Sequence, residues 1–76
     1  MVKSLIKQIS NALHERFENI YSDDKFFNHY GLGMFIRNNF LWQSPKNCEI
    51  LFDFFHSEDV ASLSSDILEY IKKNNL

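Results

Sequence analysis

One cysteine, Cys48, excludes an intramolecular disulfide. It sits in an apolar run, where a free thiol behaves as a small buried hydrophobe. That setting suits a reducing cytoplasm. Two glycines and one proline leave little room for long loops. No repeat or low-complexity segment is visible. No apolar run approaches the eighteen or so residues of a membrane span, and the N-terminus lacks the continuous apolar stretch of a secretory signal. No basic cluster stands out either. Lys3 and Lys7 lie at one end, Lys72 and Lys73 at the other, and the net charge is −2. A nucleic-acid binder would usually carry a basic stripe, and Lys3, Lys7 and Arg16 barely supply one. The expectation is a cytoplasmic protein that does not enter a membrane.

What the chain has is aromatic mass. Its 76 residues are 45% hydrophobic and 16% aromatic. This is one domain, 1–76, near the small end of what folds without staples. Buried rings, each removing about 150–250 Å² from water, are one way a short chain makes a core.

Helical spacing dominates. Val2, Leu5, Ile6, Ile9, Leu13, Phe17 and Ile20 mark a stripe, which predicts a one-sided helix over residues 2–21. Ser22 offers a cap, with Asp23 and Asp24 in a first turn where carboxylates suit the helix dipole. A short helix over about 23–30 presents Phe26, Phe27 and Tyr30. Gly31 is a natural terminator. An unbroken helix over 23–41 is the alternative, but two glycines in three residues cost about 2 kcal/mol there relative to alanine.

The central helix runs from Gly33 to Trp42. Leu32, Phe35, Ile36 and Phe40 share one face, and Arg37 and Asn38 point elsewhere. Ser44 followed by Pro45 is a strong start signal for a helix over about 45–55. Cys48, Leu51, Phe52 and Phe55 form its main apolar side. A strand over the apolar run 50–55 is disfavoured because it has no evident partner. His56 ends that helix. Ser57, Glu58 and Asp59 begin the last, with stripe residues Val60, Leu63, Ile67, Tyr70 and Ile71. The fold class is therefore all-α, a compact bundle of four to five short helices around the Gly33–Trp42 helix. The expected core is Leu5, Ile9, Leu13, Phe17, Phe27, Phe35, Ile36, Phe40, Leu51, Phe55, Leu63 and Ile67.

Two segments together resemble a family of short bacterial proteins of unknown function. The family pattern is a glycine-x-x-isoleucine-arginine-asparagine segment, a tryptophan, then a histidine-x-aspartate-aspartate turn. Gly33, Ile36, Arg37, Asn38, Asn39, Leu41 and Trp42 match the first part. His56 and Asp59 match the turn, with Glu58 as its other acidic residue. The likeness covers roughly residues 22–71. It implies the fold boundaries and a bacterial or phage origin, and it transfers no catalytic residue.

No constellation spells out a chemistry. His14, His29 and His56 match no metal spacing, and Cys48 lacks a cysteine partner. Cys48 with a histidine would be a nucleophile pair, but a core thiol is the simpler reading. The paired carboxylates Asp23/Asp24 and Glu58/Asp59 are explained by helix starts. Gly31-x-Gly33 lacks the rest of a phosphate loop. The expectation is no enzyme, no cofactor and no metal.

The leading function is a protein-binding module, most specifically an immunity protein, antitoxin or phage-encoded inhibitor that neutralises a larger protein. A self-associating helical domain, such as a homodimer, is the alternative, with a nucleic-acid-binding regulator behind it. Candidate contact residues are Tyr21, Asp23, Asp24 and Tyr30, with Asp53 and Phe54 as a weaker set. Arg37 has two readings. It anchors an anion on a partner, or it forms a structural clamp with Asp59 that ties the central helix to the last one.

Overall fold

The computed structural model describes residues 1–76 as four helices with no strand. Helix α1 is Val2–Arg16, α2 covers 25–41, α3 is Pro45–Phe55 and α4 is Val60–Lys73. The segment 50–55 is helical, in keeping with the periodicity.

Helix α1 stops five residues short of the expected end. Phe17 is extended, with ψ 141°, and the chain turns across the bundle. Ile20 still reaches the core from this non-helical stretch, which is why the apolar stripe overran the helix. The stretch is then tied to α4. Lys72 Nζ donates to the Ser22 carbonyl and to Asn28 Oδ1, both at 2.8 Å.

The expected break at Gly31 does not exist. Both glycines lie inside α2, and neither has positive φ. The helix holds wide i→i+5 turns at Phe27–Gly33 and Arg37–Leu41 around a short α segment, Met34–Ile36. The propensity cost of the glycines is overridden by packing. A Cβ on Gly33 would lie 3.0 Å from Arg37 Nη1 and 3.0 Å from the Asn28 carbonyl. Gly33 is therefore the gap into which the Arg37 head fits. Near the end of α2, side chains take up its carbonyls. Asn39 bonds Phe35 O at 2.9 Å, Asn47 bonds Phe40 O at 3.0 Å, and Cys48 Sγ bonds Leu41 O at 3.1 Å. This supplies acceptors' partners at a helix terminus.

Caps define the other boundaries. Ser44 Oγ accepts the Asn47 N–H at 3.3 Å, with Pro45 at the first position of α3. His56 adopts the left-handed conformation that ends α3. The caps of α2 and α4 are aspartates where serines were expected. Asp24 accepts from Phe26 N and Phe27 N, and Asp59 from Ser62 N at 2.7 Å. Ser22 instead supports Asp24, accepting its N–H at 3.1 Å, while Ser57 donates to Asp66 at 2.6 Å.

The core is aliphatic. Its thirteen buried apolar residues are all leucine or isoleucine, among them Ile6, Ile9, Leu13, Ile36, Leu51, Leu63, Ile67 and Ile71. Phe17, Phe27, Phe35, Phe40 and Phe55, expected inside, are only half-buried. The bundle is small, with a radius of gyration of 11.1 Å. Branched aliphatics fill the narrow space between its helices, and the rings lie over the seams. They meet edge-on there: Phe17 contacts Phe27 and Phe35 at centroid distances of 5.7 and 5.6 Å. A second group, Phe54, Phe55 and Tyr70, meets edge-on between α3 and α4.

Candidate functional site

Arg37 is the one charged side chain in the core, at 6% exposure. It points inward, against the helical-wheel expectation. Its side chain runs back along α2, the direction helical geometry favours. Nη1 donates to Ser64 Oγ at 2.8 Å and Nη2 to the His29 carbonyl at 3.0 Å. Ser64 passes the bond on to the Ala61 carbonyl at 2.8 Å. Arg37 does clamp α2 to α4, but through a hydroxyl. Asp59 is not its partner. That carboxylate is fully exposed and occupied at the start of α4, where the Ser62 N–H, then the Ser62 side chain, holds its pKa below the ordinary aspartate value. Being buried, Arg37 does not present its charge to a partner either.

Outward, α2 shows the reverse character. Phe26 is 73% exposed, Tyr30 52%, Met34 39% and Trp42 60%, and Asn38 between them is also exposed. These positions recur every four residues. On an α-helix a four-residue step overshoots one turn, so such a row would wind around the axis. The wider i→i+5 turns of α2 undershoot, and the two drifts offset each other. The inner side keeps the same beat with Leu32/Gly33, Ile36/Arg37 and Leu41. The result is a straight exposed row along the helix. Phe26 and Tyr30 touch within it, their ring centroids 4.9 Å apart.

Charge is missing from this side. Between Phe26 and Pro45 the only Asp, Glu, Lys or Arg is Arg37, and it is buried. Asparagine and glutamine keep the row wet at Asn38, Asn39 and Gln43. Lys25 and Lys46 mark its two ends.

The acidic candidates sit beyond the N-terminal end of the row. Tyr21, Asp23 and Asp24 are exposed in the loop that leads into α2. Asp24 is committed to its cap, and Asp23 lies close enough to Lys72 to favour its charged form. Burial has the larger effect on Lys72 and moves its pKa down. Asp53 and Phe54 are exposed on α3, well separated in sequence from the row and not joined to it by any ring contact. Sequence reasoning named Tyr30 but passed over Phe26, Met34 and Trp42 as surface. The signal was present, as a four-residue period in a segment without exposed charge.

Elsewhere the chemistry is quiet. Cys48 donates to a carbonyl, and burial pushes its thiol pKa up, which favours the unreactive form. No three His, Cys, Asp or Glu side chains converge as a metal site. No helix is long and apolar enough to cross a membrane. The molecule is thus a small all-α bundle with one apolar, charge-free helix face. No family model, no curated protein and no solved structure matches the chain.

Proposed function

We propose that this chain is a small protein-binding module that works by covering part of another protein. The observation behind the reading is the exposed row Phe26, Tyr30, Met34 and Trp42 on a helix face without charge. Single exposed apolar residues are ordinary, whereas a continuous row of them marks an interaction surface. Aromatic residues and methionine are also the types enriched at interface centres.

The most specific form of the reading is an immunity protein, antitoxin or phage-encoded inhibitor acting in a bacterial cytoplasm. Small size, slight acidity and abundant aromatics favour it. So does the position of Tyr21, Asp23 and Asp24 in the loop that leads into the Phe26 end of the row, where carboxylates complement a basic partner. In this role the chain works by occlusion, without catalysis, cofactor or nucleic acid. The test is a photoreactive residue in place of Tyr30, with a control at exposed Gln8 on α1, expressed in the native host. Tyr30 should give a discrete protein adduct that Gln8 does not. Equal or absent adducts at both positions would remove the row as a binding face.

A further inference from the structure

The row on α2 has a centre. Met34 lies midway along it, with Tyr30 and Asn38 four residues to either side and Phe26 and Trp42 eight. A twofold axis through Met34 would lay two copies of α2 antiparallel. Met34 would then meet Met34, Tyr30 would meet Asn38, and Phe26 would meet Trp42. In such an isologous contact the same patch serves both sides, so the patch must be complementary to itself. This row is. The amide of Asn38 offers the Tyr30 hydroxyl a hydrogen-bond partner, and the two large rings at the ends meet each other.

Charge points the same way. A face meeting its own copy can carry no unbalanced charge, because the contact would set like charges against each other. Here the row carries none between Lys25 and Lys46. Just beyond it the signs differ. The Phe26 end carries Asp23, Asp24 and Lys25, acidic on balance, and Lys46 flanks the Trp42 end, all exposed. The antiparallel arrangement brings the net-acidic Phe26 end of one copy towards Lys46 of the other, at both ends. A parallel arrangement would set acid against acid.

The area is sufficient for a weak contact. Given their exposures, the four apolar side chains offer at most about 450 Å² per copy, or about 900 Å² for the pair. Asn38, Gln43 and Lys25 carry the total past about 1,000 Å², the lower end for a specific interface. That size belongs to reversible association, not to an obligate dimer.

We propose that, while no other partner is bound, the occupant of this face is a second copy of the same chain, paired antiparallel across Met34. The inference rests on the row being a protein-binding face and names what covers it. Sedimentation equilibrium over a wide concentration range tests it. The mass should rise from 9.1 kDa towards twice that value with concentration. Met34→Glu sets two carboxylates across the axis and should weaken association by about tenfold or more. Met34 is partly exposed, and circular dichroism would verify that the variant keeps its helices.

Register is tested separately. Phe26→Lys and Trp42→Glu should each weaken the dimer, and the double variant should recover, since Lys would then face Glu at both ends. A double variant as weak as its parents would overturn the antiparallel pairing. A wild type that stays monomeric, or a dimer indifferent to Met34→Glu, would overturn the proposal. If the chain is monomeric while the Tyr30 photo-adduct contains a different protein, self-pairing fails and the binding face stands. If both experiments are blank, both readings fail together.

Discussion

Helices α2 and α4 lie against each other and are built on opposite plans. Helix α4 is conventional. Leu63, Ile67, Leu68 and Ile71 face in, Ser65, Glu69 and Lys73 face out, Asp59 caps the start, and Lys72 and Lys73 sit at the negative end of the dipole. Helix α2 buries Arg37 and, past Lys25 at its start, turns only uncharged side chains outward, rings among them. A helix of the first kind is finished when the bundle closes. One of the second kind leaves apolar area in water that only another molecule can cover. The two plans meet at the Arg37–Ser64 bond, where the inverted helix fastens its buried charge to a neutral group on the regular one.

The comparison breaks most severely if the inner face of α2 is emptied. Ile36 is fully buried, and Ile36→Ala should cost about 2–5 kcal/mol. Phe35, its neighbour, is half-buried over the seam with Phe17 and Phe40. Phe35→Ala should therefore cost less than Ile36→Ala, even though it removes more atoms. Urea unfolding of both variants checks the order. The reverse order would return the aromatics to the core.

Next in size is the buried charge. A hydrogen bond from an ionised donor is worth about 1.5–3 kcal/mol, so Arg37→Ala should cost at least that much. Arg37→Lys should recover little, because one ammonium cannot reach Ser64 and the His29 carbonyl together as the planar fork does. A double-mutant cycle of Arg37→Ala with Ser64→Ala should show coupling of about 1–2 kcal/mol. The same cycle with Asp59→Ala should show almost none. Coupling to Asp59 would restore the ion pair and remove the contrast between α2 and α4.

A smaller effect separates the two glycines. Alanine is the better helix former by about 1 kcal/mol. At Gly33 its Cβ would press on a backbone carbonyl and on the Arg37 head, both at 3.0 Å, whereas at Gly31 it would meet only the Phe27 ring, at 2.8 Å. A ring can turn and a backbone cannot. Gly33→Ala should come out less stable than Gly31→Ala by about 1 kcal/mol. Equal stabilities would mean that Gly33 is not there to admit Arg37.

Much of this architecture was readable from the sequence, and the exceptions share a cause. The stripes of α1 and α4, and the Ser44-Pro45 start of α3, are local signals, so the all-α class and three of the four helices followed from them. Helix α2 did not, because its continuity through Gly31 and Gly33 depends on what packs against them. The same holds for Arg37. A helical wheel puts Arg37 about 100° from Ile36, at the margin of the apolar side, and only the gap at Gly33 and the hydroxyl of Ser64 decide that it turns inward. Ile20 extended the α1 stripe from outside the helix. The aromatic count suggested a ring-filled core, but composition says nothing of where a narrow bundle can seat a ring. The candidate surface was half legible: Tyr30 was named, and the row to which it belongs was not.

The smallest effect is also the one that best separates the two helices, because it depends on pH. Asp59 caps α4 as a carboxylate, and its bond from the Ser62 N–H keeps its folded pKa below the ordinary value. A depressed carboxylate pKa contributes stability that is fully present above the unfolded pKa and is lost as pH falls through the folded one. The contribution is complete at neutral pH and declines below about pH 4, the ordinary aspartate value. Asp59→Asn keeps a capping side chain of similar quality but does not titrate. The stability gap between wild type and this variant, read by urea unfolding at pH 7 and pH 3, should therefore narrow in acid. The loss caused by Arg37→Ala should stay constant over the same range, since Ser64 and a peptide carbonyl do not titrate there. If the Arg37 loss also shrinks in acid, a carboxylate is holding the guanidinium, and the contrast between a charge clamped by neutral groups and a helix capped by an ion fails.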